Sequence, residues 1–335
     1  MEKGSIPVYL ITIMVVMLIL IGEIIVFTSS QDDFSSDVTI EDDTLTYSLE
    51  GKGSYTYDVV SLNGSLGSPS EVFVYYDPGY GSMVNQVSVS TGAMALDQGY
   101  YVEQMSPTLK VRGITNVKIV DAEELGTIMA NPGYGKAVVI LSGAIPDTVY
   151  DGMSESVILD WIETGGRLYW AGNVIGQYIA HKGSVEEVEC GQSIFLGAEC
   201  INTEDTRGEE VIDNGFRDVL YLQNNLLRFA PDLSLLPEDS VCVVMGYTDG
   251  SCNSITSLSV GKGSVCIFGG DYSSRQRIDL AQVIASGVGP ETELEEYATG
   301  VMNHSINGTI GKADAVYVVL GGFFPVYCRL HEVVE

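Results

Sequence analysis

Residues 137–172 read AVVILSGAIPDTVYDGMSESVILDWIETGGRLYWAG. Ala137 to Leu141 is a fully apolar run bounded by glycine on both sides. Such a run suits a strand buried on both faces of a parallel sheet. Met153, Val157, Ile158, Trp161 and Ile162 then recur at helical spacing and form one apolar stripe. Gly165-Gly166 ends that helix, and Arg167-Leu168-Tyr169-Trp170-Ala171 reads as the next strand. The unit is strand, helix, strand, and the rest of the chain is read outward from it.

Upstream, Val72-Phe73-Val74-Tyr75-Tyr76 is a short strand that ends in Asp77-Pro78-Gly79-Tyr80-Gly81-Ser82. A helix-compatible segment covers about 84–98, and a strand is predicted over about Tyr100 to Gln104. Val117 to Val120 is a short strand leading into Asp121-Ala122-Glu123-Glu124-Leu125, whose acids suit a first helical turn. Downstream, residues 181–240 are irregular and read as an insertion. Val241–Met245, Ser254–Val260 and Ser264–Phe268 read as strands, the last two joined at Gly261-Lys262-Gly263. Leu280, Val283 and Ile284 mark a final helix that stops near Gly287.

Alternating strands and helices predict an α/β, doubly wound, mostly parallel sheet of flavodoxin-like type. Strands within 38–70 and 291–335 lack helix partners and are expected to pair with each other as a small β layer. The expected organisation is therefore an N-terminal tip and anchor at 1–30 and a linker at 31–37. N-terminal strands follow at 38–70, the α/β domain at 71–290 with its insertion at about 181–240, and C-terminal strands at 291–335.

The anchor rests on residues 6–27. These 22 positions are apolar except for Pro7, Tyr9, Thr12, Gly22 and Glu23. At ~1.5 Å per residue they make a helix of about 33 Å, enough to cross a bilayer. Lys3 precedes the segment, whereas Asp32, Asp33, Asp37, Glu41, Asp42 and Asp43 follow it. That bias places the N-terminus in the cytoplasm and the main domain outside a cell membrane, single-pass. A cleaved signal peptide is the rival, with Thr28-Ser29-Ser30 a poor cleavage site.

The 335 residues carry 45 acidic and 16 basic side chains, a formal charge of −29. Nucleic acid is excluded as a partner, because phosphates are gripped by clustered Lys and Arg. With 45% hydrophobic and 18% charged residues, the chain has material for a core. Six cysteines fall on the outer side, where disulfides persist. Cys190 and Cys200 flank a short loop-rich stretch and are the candidate bridge, and Cys266 reads as a buried thiol. No C-x-x-C occurs and histidine is confined to positions 181, 304 and 331, so neither a metal nor a cofactor is expected. N-x-[ST] sequons make Asn63, Asn303 and Asn307 candidate glycosylation sites.

Three segments together resemble the flavodoxin-like domain of the class I glutamine amidotransferase-like superfamily. They are Val138 to Asp147, Ile158 to Gly172, and Gly261-Lys262-Gly263 to Gly269-Gly270-Asp271. The resemblance spans roughly residues 70–290. Catalytic members place Cys in a G-x-C-x-G elbow after the second strand, with His and Glu later. Here that stretch is Ala171-Gly172-Asn173-Val174-Ile175-Gly176, and no Cys precedes Cys190. Neither His304 nor His331 matches the family's histidine. The resemblance thus implies a fold without amidotransferase activity.

In an open α/β sheet, ligands sit beyond the carboxyl ends of the strands. The strand readings put Asp77, Ser142, Asn173 and Asp271 there as candidate ligand-binding residues; helix caps and turns are their alternative use. Asp77-Pro78-Gly79-Tyr80-Gly81 lacks the spacing of a phosphate loop. Asp147, Asp151, Asp160 and Glu163 include a possible carboxylate pair for glycoside hydrolysis, with a solvated helix face as the alternative. The sequence favours a membrane-anchored extracytoplasmic binding or scaffolding protein, with an envelope protein, a membrane protein or carbohydrate as partner. One alternative is an exported hydrolase, acting on carbohydrate, with carboxylates at the strand ends. Another is an accessory subunit of a membrane complex, touching a second transmembrane helix through Gly22 and Glu23.

Overall fold

The computed structural model describes residues 37–41, 44–48, 52–63, 68–83, 98–216, 220, 222–270, 274–305, 316–320 and 326–332. The chain divides into two compact units. The first comprises 1–60, 296–320 and 326–335. Within it, β1 (Asp37–Glu41) and β2 (Thr44–Ser48) form an antiparallel hairpin. β3 (Lys52–Asn63) belongs to a four-stranded sheet whose other members are the last three strands of the chain.

The second unit, 61–295 with 321–325, carries the larger sheet. Its chain order is β4 (Glu71–Tyr75), α1 (Gln98–Val111), β5 (Val117–Val120), α2 (Ala122–Met129), β6 (Lys136–Ile140) and β7 (Ile145–Pro146). Next come α3 (Val157–Glu163), β8 (Arg167–Ala171), β9 (Tyr178–His181), β10 (Ser184–Glu187), α4 (Gly191–Leu196) and β11 (Glu210–Val211). Then come β12 (Cys242–Asp249), β13 (Cys252–Val260), β14 (Gly263–Phe268) and α5 (Ser274–Ser286). The remaining strands are β15 (Glu293–Ser305), β16 (Val316–Leu320) and β17 (Val326–Glu332), and the four-stranded sheet runs β15-β3-β17-β16.

The main sheet has eight strands in the order β11-β12-β13-β14-β8-β6-β4-β5. From β14 to β5 every pairing is parallel, whereas β11 to β14 pair antiparallel. Four of the seven pairings are parallel, as expected, but the run β11 to β14 is an antiparallel meander that a doubly wound, flavodoxin-like sheet does not have. The reason is local. β12 joins β13 through Gly250-Ser251, and β13 joins β14 through Gly261-Lys262. Two-residue turns reverse the chain, and a parallel crossover needs a dozen residues or more. Gly261 has φ +60°, and a Cβ there would lie 2.8 Å from the Glu163 Cα, so no larger residue makes this turn.

Among the described residues no helix is long and apolar enough to cross a membrane. The apolar segment 6–27 lies outside them.

Both faces of the central strands β4, β6, β8 and β14 are buried. Phe73, Tyr75, Val138, Ile140, Leu168, Trp170, Val265 and Ile267 share one core with Leu125 of α2 and Ile158, Trp161 and Ile162 of α3. The alternate residues Val72, Val74, Val139, Tyr169 and Phe268 are buried on the opposite face. Each large aliphatic or aromatic side chain so covered contributes about 1.5–3 kcal/mol. α2 starts with a capping box in which Asp121 and Glu124 satisfy each other's backbone N–H groups.

The strand expected at Tyr100–Gln104 is helix α1 instead. Tyr101, Val102, Met105 and Leu109 are all buried, and their spacing has the helical period. A second small sheet, β10-β9-β7, grows from the irregular region after β8. In it the two residues of β7 pair parallel with Ile179 and Ala180 of β9.

Candidate functional site

The loops after β4, β5, β6 and β8 emerge at the same end of the parallel strands. After β4, the Asp77 carboxylate accepts from Gly79 N at 2.9 Å and from Ala122 N, in the first turn of α2, at 3.3 Å. After β5, Asp121 Oδ1 accepts from Glu124 N at 2.8 Å. After β6, Ser142 Oγ donates to Ala144 O at 2.5 Å. After β8, Asn173 Oδ1 accepts from Val174 N at 2.7 Å, while Trp170 Nε1 donates to Asn173 O at 2.6 Å.

Ser142 and Asn173 are brought together. A Cβ on the intervening Gly143, whose φ is +68°, would sit 3.1 Å from the Asn173 Cβ. All three of Asp77, Ser142 and Asn173 therefore address backbone groups. Asp271 lies outside the described residues.

A second group at this end points elsewhere. β9 and β10 form a hairpin that lies against the loop after β4. Gly81 N donates to His181 O and Gly183 N donates to Gly79 O, each at 2.9 Å. The backbone of Tyr80 thus bridges that of Lys182. On the other side, Asp147 N donates to Ala180 O at 3.0 Å. These contacts place the His181 ring between two carboxylates. Nδ1 lies 2.7 Å from Asp147 Oδ2, and Nε2 lies 3.1 Å from Glu186 Oε2. Tyr80 lies close enough to Asp147 for that carboxylate to act on its phenol. Lys182 Nζ lies 3.7 Å from Glu123 Oε1 and 6.0 Å from the centre of the Tyr80 ring.

The electrostatics follow from the acids. The hydrogen bond to Asp147, reinforced by Glu186, holds the His181 imidazole above its ordinary titration range. Burial, then the charge and hydrogen bond of Asp147, push the Tyr80 phenol up. Tyr75, beneath, has its phenol raised by burial and by Asp77, Tyr80, Asp147 and Asp121. Its buried hydroxyl has no hydrogen-bond partner among the described residues. Among the described residues no group of His, Cys, Asp and Glu is arranged to hold a metal ion.

The other acids first grouped with Asp147 lie apart in role. Asp151 accepts from Met153 N and from the Ser156 hydroxyl. Asp160 and Glu163 are exposed on α3. Cys190 and Cys200 are free thiols, so the candidate bridge is not formed. Cys190 is exposed and raised by the charge of Glu199, whereas burial pushes the Cys200 thiol up to about 11. Asn63 ends β3, Asn303 lies in β15, and Asn307 is outside the described residues. A groove of about 450 Å³, lined by Phe73, Val120, Ile128, Lys118, Glu71 and Lys136 among others, takes in the amino ends of β4 and β6 instead.

No family model matches the chain, and no curated protein matches it. Solved structures do. One is a mutant GH42 β-galactosidase from G. stearothermophilus, with 18% identity and TM-score 0.41, covering 64% of this chain and 29% of that one. Another is a β-galactosidase from the Antarctic haloarchaeon Halorubrum lacusprofundi, with 16% identity and TM-score 0.40, covering 82% and 41%. A third is an exo-β-1,4-mannosidase from an Opitutaceae bacterium, with 14% identity and TM-score 0.38, covering 64% and 35%. The chain spans less than half the length of each. The expected amidotransferase-like resemblance is not found: no family model matches, and the structures named above are glycoside hydrolases. Identities and scores this low define no activity for the chain.

Proposed function

We propose that the chain is an exported carbohydrate-active domain, tethered through residues 6–27, whose acid–base centre is Asp147–His181 at the strand ends. The observation that supports this most is the His181 ring held between Asp147 and Glu186. Glycoside hydrolysis needs a proton donor at the leaving oxygen and a carboxylate that activates water. Asp147, at the shorter contact, orients the ring through Nδ1. Displacing the more exposed Glu186 would turn Nε2–H toward a substrate oxygen. In such a step the glycosidic C–O bond breaks, the Nε2 proton passes to the leaving oxygen, and Glu186 takes the proton of the incoming water.

The surrounding groups suit a neutral polyhydroxylated ligand. Asp147, Glu186 and Glu123 accept hydrogen bonds from hydroxyl groups, and Lys182 and the Tyr80 hydroxyl can donate. An anionic ligand is disfavoured by the same charges.

A second reading, binding without turnover, is favoured by one observation. Asp77, Ser142 and Asn173 each use their polar atoms on the backbone. A panel of chromogenic glycosides and a glycan array, run on wild type and Asp147→Asn, separates the two. Turnover lost in Asp147→Asn supports hydrolysis. Glycan binding without turnover leaves the binding reading. Neither turnover nor binding removes carbohydrate from the account.

A further inference from the structure

The tip of the β9–β10 hairpin is held by the backbone bonds to Gly79 and Gly81, by Val185 packed on the core, and by a set of charged contacts. The root of the hairpin pairs with β7 through Ile179 and Ala180. At the tip, His181 reaches Asp147 in the β7–α3 connection and Glu186 on β10, and Lys182 reaches Glu123 on α2. Tyr80, from the loop after β4, lies close enough to Asp147 and Asp77 for both carboxylates to act on its phenol. On the outer strand Ser184, Glu186 and Glu187 are exposed.

A carboxylate can only accept a hydrogen bond, and a neutral imidazole can donate through one nitrogen only. Both contacts of His181 are therefore full hydrogen bonds only when the ring is an imidazolium. Once it loses a proton, one nitrogen lone pair faces a carboxylate oxygen. The contact to Glu186 is the longer, and its carboxylate is 68% exposed against 38% for Asp147. Glu186 can thus rehydrate, so that contact breaks first.

We infer that the hairpin carries a proton-operated latch: the His181 imidazolium joins Glu186 of β10 to Asp147, and deprotonation releases Glu186 and loosens the outer strand β10, while the backbone bonds to Gly79 and Gly81 keep the tip in place. As a property of the hairpin this does not depend on the proposed function, in which Glu186 is displaced by substrate while the ring keeps its proton. The imidazolium is favoured by Asp147 and then Glu186, so the latch opens only above the ordinary imidazole range.

The test needs no substrate. The ring nitrogen shifts of His181, assigned by comparing wild type with His181→Gln, are followed against pH on the full chain. Amide hydrogen exchange of residues 178–187 is measured over the same range and corrected for its intrinsic pH dependence. The expected result is a His181 midpoint above that of an unperturbed imidazole. Exchange of Val185, Glu186 and Glu187 should rise several-fold across that midpoint, with no such step in His181→Gln or Glu186→Gln. A midpoint at or below the ordinary value, or exchange that ignores the titration, overturns the latch. A latch that behaves as described on a protein without glycan activity would refute the functional reading and leave the latch standing.

Discussion

Asp147 Oδ2 lies 2.7 Å from His181 Nδ1, across 34 positions of sequence. Two chain segments make this possible: the two-residue strand β7 and the root of β9, paired parallel immediately before these residues. The contact is the point at which the main sheet's strand-end loops meet the β9–β10 hairpin, and it organises the polar groups around it.

The first prediction concerns pH and stability. The folded protein raises the His181 pKa above its unfolded value. Its contribution is then fully present below the unfolded pKa and is lost as pH rises through the folded one. Unfolding in urea at stepped pH should show wild type losing stability across that window relative to His181→Gln. Parallel curves for the two proteins would mean that the ring is not engaged as the geometry says.

Asp279 gives a second and larger pH effect. Its carboxylate, fully buried on α5, accepts from Gln223 N at 2.9 Å and also from Asn224 N. Burial pushes its pKa from 3.8 up to about 7, opposed by those two N–H groups and by Arg112 and Arg275. At about 1.36 kcal/mol per pKa unit, the group removes on the order of 3–4 kcal/mol of stability between pH 4 and pH 8. The sign is that of a raised pKa: stability is full below the unfolded value and falls as pH rises through about 7. Asp279→Asn should flatten that slope, at some loss of stability at acid pH. An unchanged slope in chemical denaturation contradicts the assignment.

Trp170→Phe tests the loop after β8. The indole N–H is the donor to Asn173 O, and Trp170 is 1% exposed. Removing it leaves a buried carbonyl without that bond, at a cost of about 1–3 kcal/mol. The midpoint of denaturant unfolding should drop with its slope unchanged.

Salt should stabilise the fold. With a formal charge of −29, self-repulsion outweighs the few ion pairs that screening would weaken. Thermal unfolding at about 0.05 M and 1 M sodium chloride spans Debye lengths from roughly 14 Å to 3 Å. The midpoint should rise with salt. A fall would show that specific pairs, such as Arg228–Asp205 at 3.1 Å, dominate instead.

Much of the main sheet was legible because its signals are local. Ala137–Leu141 suits a covered strand and Gly165-Gly166 suits a helix end, and β6, α3 and β8 lie there. Tyr100–Gln104 misled because a five-residue window cannot separate period 2 from period 3.6. The helical stripe becomes visible only when Met105 and Leu109 are included.

The antiparallel half was implied by Gly261-Lys262-Gly263, a turn too short for any crossover. The family resemblance failed for a related reason: strand–helix–strand patterns ending in Gly-Gly belong to many α/β sheets. Ser142 and Asn173 were placed correctly at strand ends, but short polar side chains there serve the local backbone as readily as a ligand. The His181 site was hidden because its pairing runs through β7, whose two residues include Pro146 and carry no strand signal. The stretch His181 to Glu187, a histidine and two glutamates about Gly183, was the one available hint.

The most direct test of the central claim is the rate of glycoside turnover by His181→Gln set against wild type, on whichever chromogenic glycoside the wild-type chain cleaves. Circular dichroism would confirm that both are folded. The account predicts a loss of about 10²-fold or more in kcat, as expected for removal of a general acid. Wild-type turnover in a folded His181→Gln protein would contradict it.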